Sequence, residues 1–262
     1  MIRHTAALLP RRTLAKALTA RAFVTKSPGP DPLEVLRKEC VNRRLCTVEG
    51  YRAPGVHWVF SVAMTPRDSD AAPNLRTIGI QRVSPAGIDF VMKKGCKTAT
   101  AIAEEHPLAI LYSQGKYAPG QSAEQWRGEG VCKSLPLQEL LDVLPHYTLT
   151  GMLVSKRIEK EALEADDDSR GDVSVDRLAL MNRSHVTELT QKTRLELENN
   201  EVSEEELEKS IQAFRFLPDR LERMHGGPDS ILWERWEWLR SASAAESEGA
   251  IPWNDPMHLL PH

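Results

Sequence analysis

Arg76, Lys97 and Thr98 are the residues whose types and spacing speak most directly of chemistry. Arg76 lies in Asn74-Leu-Arg-Thr-Ile-Gly-Ile-Gln81, a run of strand composition. Lys97 and Thr98 close Gly87-Ile-Asp-Phe-Val-Met-Lys-Lys-Gly-Cys-Lys-Thr98, a second strand ending in a Lys/Gly/Lys-Thr cluster. A short helix is predicted to begin at Thr98, so cations and hydroxyls, Thr100 among them, gather around a helix start. Such a start has free backbone N–H groups and the positive end of the helix dipole, and a phosphate sits there favourably. The pattern points to a phosphorylated cofactor bound by a β-barrel. Gly95-Cys-Lys-Thr98 echoes the end of a Walker loop, but the earlier glycine is missing and that reading is rejected. The same residues admit plainer roles, Arg76 as a barrel-rim ion pair and Lys97-Thr98 as a capped, exposed helix start.

The elements that must position these residues follow from pattern. Strands are predicted over 57–64, 75–83, 88–93, 108–113 and 125–134, with turn-forming stretches such as 65–70 and 84–87 between them. A helix over 98–105 separates the third and fourth. Gly128 and Gly130 in the fifth strand predict a barrel corner or a close approach by another backbone. Short strands at regular spacing argue for a barrel over a parallel sheet. Ser27-Pro-Gly-Pro-Asp-Pro32 reads as a linker, and Asp31-Pro32 opens a helix. After Pro136 the pattern turns helical, with Leu137, Leu140, Leu141 and Leu144 on one face up to Pro145. A second helix is expected over 147–156 and an acidic, solvated loop over 161–176. Exposed amphipathic helices follow over 175–200 and 203–214, the latter opened by the capping box Ser203-Glu-Glu-Glu206. Strands return over 214–224 and 230–239, and the tail from 241 to 262 is expected to be extended.

The chain has 262 residues, 41% hydrophobic and 27% charged, ordinary values for a globular protein. A net charge of -3 gives no general drive toward nucleic acid or anionic membranes. Cys40, Cys46, Cys96 and Cys132 are far apart and form no C-x-x-C pair, so a disulfide framework is not expected and a reducing compartment fits. The eight histidines form no metal-binding spacing, so no metal site is expected. Arg3, Arg11, Arg12, Lys16, Arg21 and Lys26 all precede the first acid, Asp31. An Arg-rich, acid-free start of this kind reads as a mitochondrial transit peptide over about 1–30, or else as a basic tail or surface helix. No apolar run reaches the length of a membrane span.

The order and spacing of these motifs resemble the pyridoxamine 5'-phosphate oxidase family, FMN-binding split β-barrels that are usually homodimers with the flavin at the subunit interface. The resemblance runs from about residue 31 to 239 at low identity. Arg76-Thr-Ile-Gly-Ile-Gln81 falls on the strand that carries the family's arginine and aliphatic run. Gly87-Ile-Asp-Phe90 and Gly95-Cys-Lys-Thr98 fall on the following strand and the phosphate-gripping turn. Gln125, five residues before a matching Gly130, occupies the glutamine that faces the flavin. Gly151-Met-Leu-Val-Ser-Lys156 is similar to a Gly-x-x-x-Ser-Lys segment, and Leu232-Trp-Glu-Arg235 to a C-terminal Leu-His-Asp-Arg. The resemblance implies FMN as cofactor, held by Arg76, Thr77, Ile78, Lys97 and Thr98, with Gln125 and Arg235 as further contacts. Gln125 can donate and accept at once, which suits the polar edge of an isoalloxazine ring; a solvent-facing strand residue is the plainer reading. The implied fold is α+β, mainly β: a six-to-eight-stranded antiparallel split barrel over 31–240 with flanking helices and a helical insertion over about 136–213.

The departures bear on activity. Gln81 stands where the family has a substrate-binding lysine, and Thr98 replaces the second basic residue of the phosphate turn. Leu140, Leu144 and Thr148 stand where a tyrosine, an arginine and a serine hold the substrate's phosphate, and leucine cannot satisfy a dianion. Ile231 and Trp233 fall on the catalytic arginine and histidine, Met224 on a tryptophan near the flavin, and Arg157 on a glutamine. Oxidation of pyridoxine phosphate is therefore not expected, and no catalytic residue is assigned. The expected function is a divergent mitochondrial FMN-binding protein, an oxidoreductase of unknown substrate if it turns over. The alternative is an inactive split barrel serving as a structural or assembly subunit of a mitochondrial complex, with Trp233, Trp236, Trp238 and Trp253 available as anchors. Haem handling has little residue support, with His57 and His106 only formally available as ligands.

Overall fold

Alternation builds the wall of the molecule. In the computed structural model, which describes residues 30–64, 74–103, 107–114, 122–164, 183–227, 233–241 and 251–259, Phe60, Val62 and Met64 of strand β1 (Val59–Met64) point inward. Ile78 and Ile80 of β2 (Asn74–Ser84) and Leu108, Ile110 and Tyr112 of β4 (Leu108–Gln114) do the same. With β3 (Gly87–Lys93), β5 (Ala123–Leu135) and β6 (Ile211–Gly226) they form an antiparallel sheet in the order β3-β2-β1-β4-β5-β6, closed by pairing of β3 with β6. Closure pairs most of the edges of these six strands. Beyond β6 the sheet continues through β7 (Glu234–Leu239) to β8 (Met257–Leu259). The interior holds Trp58, Trp126, Phe60, Phe90, Phe214 and Phe216, all essentially without solvent contact.

Six helices accompany the barrel among the described residues. They are α1 (Pro32–Asn42), α2 (Lys97–Ala103), α3 (Gln138–Leu141), α4 (His146–Glu164), α5 (Arg183–Glu198) and α6 (Glu204–Ser210). Asp31 caps α1 by accepting the Leu33 N–H at 2.9 Å, with Pro32 in the first turn as its fixed φ favours. Ser203 caps α6 through Glu206 N–H at 3.2 Å, the capping box expected there. The insertion has its own core, in which Leu140, Leu144, Leu149, Leu153, Leu197 and Leu207 meet Val91, Ile211 and Ala213 of the barrel. Arg157 fastens its helices together: Nε and Nη2 donate to Glu206 at 3.0 and 2.8 Å, and Nη1 to Thr193 at 2.9 Å and Glu196 at 2.5 Å. The departure at 157 is thus a structural tie.

Several expected boundaries are corrected. The helix expected over 203–214 ends at Ser210, because Phe214 and Phe216 face the barrel core, Ile211 and Ala213 face the insertion, and the segment pairs with both β3 and β5. The last strands therefore begin at 211, not 214. Residues 161–164 are helical, the end of α4 rather than the start of an acidic loop. The helix expected over 175–200 is described over Arg183–Glu198, and residues 1–29, 165–182 and 228–232 lie outside the described residues. Residues 257–259 lie along β7 as β8, and Ile251 is buried, its N–H donating to Pro85 O at 3.1 Å.

Candidate functional site

Two strands that start as a hairpin separate at the site. β2 and β3 pair from Ser84↔Gly87 back to Ile80↔Phe90. From Gly79 to Asn74, β2 continues along β1, while Val91, Met92 and Lys93 of β3 continue along β6. A wedge opens in the wall, with 74–79 on one side and 91–93 on the other. Ile80 donates its N–H to Trp58 O at 2.8 Å, and successive residues of a ladder direct their backbone groups to opposite sides. Thr77 therefore turns its N–H and C=O away from β1, into the wedge. On the far wall Lys94 donates to Ser210 O at 2.9 Å, so Lys93 presents its backbone groups to the same opening.

Arg76 shares the side-chain face of Ile78 and Ile80 and stands opposite Val62 at the open end of the barrel. Past Lys93 the chain turns through Gly95, whose φ of 79° is a conformation glycine adopts without strain. Lys156 Nζ braces this turn by donating to Lys94 O at 3.4 Å, and Lys93 Nζ reaches Ser155 Oγ at 3.3 Å and the Glu159 carboxylate. The Ser155-Lys156 pair, singled out by its motif, thus supports the turn from α4. Helix α2 then begins at Lys97. Cys96 Sγ accepts the Ala99 N–H at 3.4 Å, and the Thr100 hydroxyl donates back to Cys96 O at 3.3 Å. The Thr98 side chain is fully buried and its Oγ1 has no partner.

Charge balance differs from place to place: among the described residues Arg127 on β5, like two cations at the wedge, has no counter-charge, whereas most arginines of the sheet and insertion do. Arg82, Arg157, Arg215, Arg220, Arg223 and Arg235 each rest on a carboxylate. Arg76 and Lys97 are exposed, and among the described residues neither has an ion-pair or hydrogen-bond partner. The cations of Arg76 and Lys97 and the outward-turned Thr77 amide are donors of the kind a phosphate ester takes, and Thr98 adds a buried hydroxyl without a partner.

Gln125 and Arg235 belong to a second group. Gln125 pairs with Met224, and Met224 with Arg235, so three positions from separate motifs fall in one cross-strand row on the outer face. Arg76 lies three strands from Gln125, about 14 Å along the sheet, and on the opposite side-chain face. The structure brings Arg76, Thr77 and Ile78 to the wedge with Lys97 and Thr98 following its far wall, and it places Gln125 and Arg235 together elsewhere. Arg235 donates Nε and Nη2 to the nearly buried Glu222 carboxylate, both at 2.9 Å. Beside this pair a crevice of about 140 Å³ is lined by Arg127, Gly128, Glu129 and Arg220.

Sequence reasoning missed the carboxylates behind the row. Glu124, fully buried, accepts from Arg223 at 2.5 and 3.1 Å and lies 2.6 Å from His225 Nδ1. Burial works most strongly against the Arg223 charge, and the hydrogen bond to Glu124 together with the charges of Glu124, Glu39 and Glu234 outweighs it, holding its pKa above the usual arginine value. The alternation around Trp126 was the available signal, since it places Glu124 inward. The departed positions are also explained: Leu140 and Leu144 are core, leaving no room for a phosphate. Gln81 is buried, its Nε2 donating to Gly79 O at 3.2 Å. His57 is exposed beside Tyr147, and Ile231 and His106 lie outside the described residues.

The thiols give a chemical reading of the turn. Cys40, Cys46 and Cys132 are buried, and burial raises the pKa of each, Cys46 to about 11. Cys96, at the turn, is partly exposed. A thiol reagent at mildly alkaline pH is expected to modify Cys96 first, and a phosphate ester to slow that reaction; peptide mass spectrometry reads both.

No protein-family model and no curated protein matches the chain by sequence. Among solved structures the chain is similar to PhzG from Burkholderia lata in complex with tetrahydrophenazine-1-carboxylic acid, with TM-score 0.50 and 13% identity over 90% of this chain and 95% of that one. It is also similar to a pyridoxamine 5'-phosphate oxidase-related, FMN-binding protein from Nostoc punctiforme, with TM-score 0.49 and 12% identity over 90% and 100% of the two chains. A FAD and heme binding protein from Mycobacterium smegmatis matches with TM-score 0.30 and 14% identity over 75% of each chain. At such identities the likeness shows the fold. That fold is a split barrel, six antiparallel strands closed on themselves with two further strands beside them.

Proposed function

We propose that this protein binds FMN, with the phosphate at the wedge between β2 and β3 and the ring on the outer face of the sheet. The observation that carries the reading is the pair of uncompensated cations, Arg76 and Lys97, beside an opening that also receives the Thr77 backbone amide. Arg76 and Lys97 would balance the phosphate charge, Thr98 would offer its hydroxyl, and Ile78 would line the inner wall. Gln125 and Arg235 would meet the polar edge of the ring from a second barrel, since wedge and row lie too far apart on one. A homodimer is therefore part of the proposal. It is supported by an outer face on β2, β1 and β4 that sets the exposed Val59 and Leu75 among the small residues Thr77, Gly79, Ser61, Ala63 and Ala109. Bound FMN supplies a two-electron hydride acceptor, which makes an oxidoreductase the proposed activity. Leu140 and Leu144 argue against a phosphorylated vitamin as substrate. The Arg-rich start supports a mitochondrial address.

The second reading, a scaffold subunit of a mitochondrial assembly, draws support from Glu222, which already occupies the Arg235 guanidinium. Co-purification in a large complex without flavin favours it, and an isolated homodimer with turnover excludes it. Flavin titration decides on the cofactor. The purified protein is expected to take up FMN, and Arg76→Ala and Lys97→Ala each to weaken uptake about tenfold or more, the worth of one charge-assisted hydrogen bond. Protein that remains colourless after FMN is added would overturn the reading.

A further inference from the structure

An indole lies flat on a glycine at the end of the outer-face row. The β6–β7 register pairs Met224 with Arg235 and His225 with Glu234, and just past its end Trp233 packs on Gly226. A Cβ built on Gly226 would lie 3.4 Å from Cδ2 and from Cε2 of Trp233 and 3.6 Å from Cε3. Near-equal distances to three ring atoms mean that the glycine meets the face of the ring at its fusion bond, and not its edge. Trp58, Trp126 and Trp238 are at most 4% exposed, whereas Trp233 is 39% exposed. It is therefore not a core residue, and with one face on Gly226 its exposure falls on the rest of the ring.

On the same face of β7, about 7 Å further along, stands Arg235. Glu222 takes its Nε and Nη2, and among the described residues Nη1 has no partner. Met224 and Gln125 continue the row across β6 and β5. An electron-rich π-face beside fixed hydrogen-bond donors selects a planar, electron-poor ring with acceptor atoms on its edge. We infer that Trp233 is the stacking platform for such a fused ring, whose carbonyl edge meets Arg235 Nη1 and the Gln125 amide. The inference deepens the flavin reading and rests on it for the identity of the ring.

The test uses two probes on the full-length protein: lumichrome, a flavin-type ring without the phosphate side chain, and FMN. Each is titrated by ligand fluorescence into wild type, Trp233→Leu and Trp233→Phe, with thermal melts confirming that the variants fold. Lumichrome is expected to bind wild type, to bind Trp233→Leu about tenfold more weakly, and to recover to within about threefold in Trp233→Phe. Equal lumichrome affinity in wild type and Trp233→Leu overturns the platform, and so does wild type that takes up no lumichrome. If lumichrome follows the expected pattern while FMN is not taken up, the platform stands and the phosphate reading of the wedge falls.

Discussion

Gly130→Ala is expected to leave little folded barrel. A Cβ at this position would sit 2.2 Å from Leu217 O, 2.8 Å from Pro218 Cα and 3.0 Å from Asp219 N. All three are backbone atoms of β6, at the register shift between Glu129 and Gly130. They cannot swing aside as a side-chain tip would, because residues 217–219 are anchored at each end by stretches of β6 paired on both sides, 213–216 with β3 and β5 and 220–225 with β5 and β7. Relief needs a break in the ladder that closes the barrel. The cost is expected to exceed about 4 kcal/mol, against a total stability of about 5–15 kcal/mol for such a domain. Urea denaturation of soluble protein measures it. Gly151→Ala is the control: nothing lies within 4 Å of its Cβ in α4, and a gain of up to about 1 kcal/mol is expected there. A Gly130→Ala protein as stable as wild type would mean that β5 and β6 do not approach so closely.

Asp89→Ala is expected to be nearly as damaging. The Asp89 carboxylate, with no solvent exposure, is shared by two guanidiniums from the neighbouring strands. Arg82 donates Nε to Oδ2 at 2.6 Å, and Arg215 donates Nε to Oδ1 at 2.7 Å and Nη2 to Oδ2 at 3.1 Å. Removing the carboxylate strands two cations that are largely buried, with Glu139, itself well exposed, at 3.3 and 3.6 Å as the remaining counter-charge. Loss of one partner from such a buried group costs about 3–5 kcal/mol. The triple variant Arg82→Met, Asp89→Leu, Arg215→Met is expected to recover most of that loss, because no unpaired charge remains. Denaturation midpoints of the two proteins give the comparison. A single variant no weaker than the triple one would show that the cations find solvent unaided.

Local patterns were legible where side-chain period and caps agree. The strand at Leu108 begins where alternation places it, α1 opens at Pro32 behind the Asp31 cap, and the Ser203 box starts α6. Gly130 was readable as a close backbone approach because a strand tolerates glycine poorly without such a reason. The boundary at Ser210 was not readable. Ile211 to Phe214 continues a helical-looking run, and only pairing with two distant strands makes it β. The site divides in the same way. Arg76, Lys97 and Thr98 could be grouped because a strand, a turn and a helix follow one another closely. The alignment of Gln125 with Met224 and Arg235 depends on register between strands far apart in sequence, and the engagement of Arg235 by Glu222 depends on that register too. Trp233 over Gly226 left no sequence signal beyond a glycine and a tryptophan a few positions apart.

The helical insertion leaves the barrel after Leu135 and re-enters at Ile211, and Leu135 lies opposite Ala213. Its exit and its return are thus neighbours, like the two ends of a handle. A handle can be lengthened or shortened at its far end with little added closure entropy. Its near part is not free in this way, because Ser155, Lys156 and Glu159 of α4 hold the turn that follows the wedge.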